Sequence, residues 1–66
     1  MAHQETYKVV QARRVRDGAK VYLTSCDAWT PDVGIAEFLP EEDHDWRLAF
    51  ANRLSEVADA ALVPVP

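Results

Sequence analysis

Few side chains in this sequence have the type and spacing for covalent or metal chemistry. The dense functional cluster is cationic. Ser25-Cys26-Asp27 places a thiol beside a carboxylate, but an adjacent acid raises a thiol's pKa and blunts it as a nucleophile. His3 falls in the N-terminal segment and His44 in an acidic stretch, and neither stands in a recognisable arrangement with a serine or cysteine. A nucleophile needs such an oriented base. Glu41, Glu42, Asp43, His44 and Asp45 are metal-ligand types in a row, yet consecutive residues on a helix point in different directions and few can converge on one ion. Only Gly18 and Gly34 are glycines, so no glycine-rich phosphate loop is present. The expectation is a protein without catalytic residues, cofactor or specific metal site.

Arg13, Arg14, Arg16 and Lys20 gather around one Asp17-Gly18 pair, with Tyr22 and Trp29 close behind in sequence. Guanidinium forks suit carboxylates and phosphates, and an aromatic platform beside them is how single-stranded nucleic acid is held. These six residues form the candidate binding surface. Residues 1–20 hold five basic against two acidic residues, net +3, and residues 21–66 hold two basic against nine acidic residues, net −7. The overall charge of −4 disfavours nucleic acid, whose binding domains are usually basic overall. An acidic protein surface, or the acidic helix of a second copy in a homodimer, is the preferred partner. A nucleic-acid role for the hairpin is the alternative, and pairing of the arginines with acids of the same chain is a third reading.

The elements that must position these residues follow from pattern. Tyr7 to Val15 is rich in β-branched residues and reads as a strand. Asp-Gly is a strong hairpin signal, and Ala19 to Thr24 is the returning strand. With a two-residue loop, Ala12 faces Leu23, Arg14 faces Val21, and Arg13 faces Tyr22, where a cation–π contact is possible. A longer loop over 15–18 would shift this register. In the two-residue-loop register Val10, Ala12, Val21 and Leu23 share one face. Ser25 to Ala28 reads as a turn, Trp29-Thr30 as a short third strand, residues 31–34 as loop and Ile35 to Leu39 as a further strand. Pro40 and the acids after it suit a helix start. Trp46, Ala49, Phe50, Leu54, Val57, Ala58 and Ala61 recur at helical spacing, which predicts one amphipathic helix over residues 43–62. Its Trp46–Phe50–Leu54–Val57 stripe would lie on the sheet, and Arg47 would fall outside it. Residues 63–66 read as an extended tail or edge strand and residues 1–6 as flexible. The fold class is therefore α+β: a small antiparallel sheet of three or four strands, hairpin first, packed against one C-terminal amphipathic helix in a single domain over 1–66.

A domain of roughly this size buries only about 60% of its unfolded surface, and the single Cys26 cannot form an internal disulfide. Stability must come from packing of the aromatic residues or from self-association. No run approaches the roughly 20 apolar residues that span a bilayer, and residues 1–5 lack the regions of a signal peptide, so a cytoplasmic location away from membranes is expected.

The run from Ala12 to Leu23, Ala-Arg-Arg-Val-Arg-Asp-Gly-Ala-Lys-Val-Tyr-Leu, resembles the opening of a small proteobacterial family of unknown function. Its members carry an Ala-x-Arg-Leu-x-Asp-Gly-x-Val-Val-Tyr-Leu pattern. Trp29, Ala36 to Phe38 and the alanine-rich segment to Ala61 fill later places, and Leu62-Val63-Pro64-Val65 resembles the closing strand. Arg14-Val15 departs from the family's Arg-Leu, and Ser25 to Ala28 replaces a more glycine-rich turn. In that family the gene often neighbours assimilatory sulfite reductase genes. The resemblance implies an accessory role in sulfur assimilation and no known activity, and it carries over no functional residue. The expected function is a non-enzymatic binding or accessory protein working through protein contacts.

Overall fold

The computed structural model describes residues 7–65. The expectation of a flexible segment 1–6 lies outside them. Four antiparallel strands form one sheet in the order β3-β2-β1-β4: β1 is Lys8–Arg14, β2 Lys20–Leu23, β3 Trp29–Thr30 and β4 Val57–Pro64. One helix, α1 (His44–Asn52), follows a 3-10 turn over Glu41–Asp43. The α+β class, the leading hairpin and the single helix are as expected from the sequence. No helix among the described residues is long and apolar enough to cross a membrane.

The hairpin takes the longer loop. Ala12 lies opposite Val21, Gln11 opposite Tyr22 and Arg13 opposite Lys20. A type I′ turn requires positive φ at both central residues, but only Gly18 adopts it here, at +73°. Asp17 is instead a local cap. Its Oδ1 accepts the Ala19 N–H at 3.1 Å, while the Gly18 N–H bonds the Arg14 carbonyl at 2.7 Å. Tyr22 therefore faces Gln11, and the expected Arg13–Tyr22 pairing is replaced by an ion pair between Arg13 and Asp59 on β4.

The larger correction concerns residues 53–64. The helix ends after nine residues, where the Arg53 N–H folds back onto the Phe50 and Ala51 carbonyls. Val57–Pro64 then pairs along the whole of β1. The alanines of this stretch fit a helix locally, but a strand here satisfies the backbone groups on the free side of β1, and unpaired buried backbone is costly. A bulge makes the pattern fit. Asp59 sits at φ +57°, the register shifts between Gln11 and Arg13, and Val57, Ala60 and Leu62 all reach the core. Near its end, Pro64 lies opposite Lys8. Lys8 turns its own N–H and carbonyl to Leu39, so the proline nitrogen is on the outer side of the sheet. The Ile35–Leu39 strand does not form. Val33–Ile35 is a 3-10 turn, and only Leu39 makes a bridge, to Lys8.

The helix presents a different stripe from the one expected. His44, Arg47 and Ala51 are buried, Phe50 is half-buried, and Trp46 is 56% exposed with its indole N–H donating to Asp43. Buried His44 ties the start of the helix down, its Nε2 meeting the Leu39 carbonyl at 3.0 Å. The apolar interior has two parts. Val10, Leu23, Leu39 and Ala51 form one, under the helix. Ala12, Val21 and Val57 form the other, covered by Trp29, Leu54 and Ala19 instead of α1 side chains.

Candidate functional site

The second apolar part, beyond the C-terminal end of α1, is where the surface opens. A groove of about 580 Å³ lies between the β1–β2 loop, the β2–β3 turn and the approach to β4. Arg14, Val15 and Arg16 form one wall, Asp27, Ala28 and Trp29 another, and Ser55, Glu56 and Val57 the third. Strand alternation explains the arrangement. Arg14 ends the row Val10–Ala12–Arg14 on the core side of β1, opposite Val57. Trp29 lies opposite Leu23, hence on the same side, and packs against both apolar parts.

Three of the six candidate residues, Arg14, Arg16 and Trp29, therefore share one site. The other three do not. Arg13 and Lys20 face each other, and Tyr22 faces Gln11 and Thr30, on the opposite side of the sheet. The aromatic pair of Tyr22 and Trp29 is split between the two faces. The basic cluster is also partly spent within the chain, since Arg13 pairs with Asp59 and Arg14 with Asp17. Among the described residues, Arg16 and Lys20 have no ion-pair contact.

Arg14 is held in a fixed pose. Its Nε and one terminal nitrogen each reach a different oxygen of Asp17, both at 3.1 Å. This bidentate fork pulls Asp17 down from 3.8 to about 2, aided by the Ala19 N–H and the nearby charge of Arg16. It raises Arg14 in turn. The guanidinium is thus rigid and stays charged. Val15, beside it, is 58% exposed.

The residue the sequence does not flag is Arg47, only 4% exposed. It contacts Asp27 at 2.9 Å and Glu37 at 3.2 Å, donates to the Thr24 carbonyl at 3.1 Å, and lies 5.1 Å from the ring centres of both Trp46 and Phe50. It clamps the β2–β3 turn and the 36–39 segment onto the helix. Asp27 meets it from a left-handed backbone position, φ +63°. The available sequence signal was an arginine between two aromatics on a helix otherwise short of large apolar residues. Because Asp27 serves Arg47, its carboxylate is not aimed at Cys26, which is exposed on the turn. Among the described residues, no three His, Cys, Asp or Glu side chains gather as metal ligands.

The chain is thus a small α+β domain, a four-stranded antiparallel sheet with one short helix and a groove where the helix stops. It belongs to the family described as Protein of unknown function (DUF2849), whose model matches residues 8–66. No curated protein and no solved structure matches it.

Proposed function

We propose that the chain is a non-enzymatic, cytoplasmic bacterial accessory protein that works through protein contacts at this groove. The observation that carries the reading is the convergence of Arg14, Arg16 and Trp29, with exposed Val15, on one concavity. At about 580 Å³ the open groove has room for side chains of a partner. Its wall combines a preorganised arginine with an aromatic ring, the residue types enriched where binding energy concentrates. The resemblance to a family whose genes neighbour assimilatory sulfite reductase makes that enzyme the first partner to test. Nucleic acid at the hairpin is the weaker reading, because two of its four cations are paired within the chain and the net charge is −4.

The test is binding of the tagged chain to purified sulfite reductase from the same bacterium, with a native-host pull-down beside it. Charge reversal at Arg14 and Arg16 should weaken capture by about tenfold or more, since charge-assisted contacts contribute roughly 1.5–3 kcal/mol each. Capture of no protein under gentle conditions, or capture indifferent to both reversals, overturns the reading. A shift of oligonucleotides that falls steeply with salt would move the function to nucleic acid.

A further inference from the structure

The charge around the groove is sided. On the hairpin wall, Arg16 makes no hydrogen bond or ion pair among the described residues, and Arg14 is fixed by Asp17 through two of its three guanidinium nitrogens. On the turn wall, Asp27 is engaged by buried Arg47, which it shares with Glu37, and the groove there also presents Trp29 and Ala28. The third wall adds Val57 and one uncommitted acid, Glu56.

The geometry points to an extended segment of a partner protein that carries a carboxylate next to a large apolar side chain. This rests on the protein-contact reading and names its chemistry. The carboxylate meets Arg16 and the remaining nitrogen of Arg14, where a planar fork matches two acceptor oxygens. The apolar side chain lies against Trp29, Val57 and exposed Val15. Glu56 repels a second acid on the far side, so the occupant is acidic at one end and apolar at the other.

The test is an amide-resolved NMR titration of the full chain with three capped peptides: Gly-Asp-Glu-Leu-Phe-Gly, its Lys-Lys-Leu-Phe counterpart, and its Asp-Glu-Ser-Ser counterpart. The acidic–apolar peptide should move the amides of Arg16, Ala28 and Val57 and the indole N–H of Trp29. The other two should bind about tenfold more weakly or not at all. Arg16→Gln should weaken the first peptide about tenfold, with Arg53→Gln, exposed and outside the groove lining, as the neutral control. Arg16 makes no hydrogen bond or ion-pair contact among the described residues, and its charge acts on Asp17 only at a distance, so this variant stays folded. Silence of the groove amides at millimolar peptide, equal binding of the lysine peptide, or shifts confined to Lys20 and Tyr22 overturns the proposal. So does concentration-dependent broadening of the groove amides without peptide, which means a second copy occupies it. If the arginine reversals abolish partner capture while the peptides leave the groove unmoved, the occupant chemistry is wrong and the protein-contact reading stands.

Discussion

Arg47 gives the sharpest test of how this small domain holds together, because it is charged, buried and replaceable by side chains of similar volume. Arg47→Ala removes the packing of the two stem methylenes beyond Cβ, about 0.8 kcal/mol each. It also removes the charge-assisted bond to the Thr24 carbonyl, roughly 1.5–3 kcal/mol. The pairs with Asp27 and Glu37 add only about 0.2–1 kcal/mol each, since those side chains are 54% and 34% exposed and rehydrate when the arginine leaves. Against these gains stands the desolvation of a buried guanidinium whose Nε has no partner among the described residues. The net loss expected is about 3–5 kcal/mol, a large share of the roughly 3–10 kcal/mol that a chain this long possesses. Arg47→Met keeps the stem packing and should cost about 2 kcal/mol less. Arg47→Lys should not restore the wild-type value, because one ammonium cannot span Asp27, Glu37 and the carbonyl as the fork does. Urea unfolding followed by far-UV circular dichroism measures all three. An Arg47→Met variant as stable as the parent, or more so, would refute the reasoning: burying the charge would then cost as much as its contacts return.

Other expectations follow from single features. Gly18→Ala meets no atom within 4 Å, so its cost is backbone strain alone, about 1–2 kcal/mol by chemical denaturation. Asp59→Ala should be about 1 kcal/mol less stable than Asp59→Gly, because both lose the exposed pair with Arg13 but only alanine pays for φ +57°. Leu39→Ala, at a side chain 2% exposed, should cost about 2–5 kcal/mol. The carboxyl of Asp17 should titrate near 2 by NMR, below its ordinary 3.8. Because the folded value is the depressed one, its stabilisation is complete above the ordinary value and disappears as pH falls through about 2. Asp17→Asn should flatten that part of the pH–stability profile.

Much of the sheet is legible in the sequence, because alternation from Val10 to Leu23 is a local signal with a period of two. The hairpin register is not, since it depends on whether Asp17 serves as a central turn residue or bonds Ala19 and Arg14. The stretch from Leu54 to Ala61 carries helical spacing, and what overrides it is the open side of β1, more than forty positions earlier in the chain for the Arg13–Asp59 contact. Arg47 reads as a solvent-facing residue because its burial depends on acids at 27 and 37 that only the tertiary fold delivers. The groove was half visible. Arg14, Arg16 and Trp29 stood out by type, but Ser55, Glu56 and Val57 join them only because the helix stops early.

The bulge and the proline of β4 bear on how copies of the chain meet. An eight-residue outer strand would ordinarily invite a neighbour to zip onto it. Here the row of outward donors lacks one at Pro64 and is kinked at Asp59, so an incoming strand finds no continuous ladder. Edge-to-edge strand pairing between copies is thereby disfavoured along that margin. The same margin is a poor dock for an extended ligand, which directs recognition to side chains rather than to main-chain pairing.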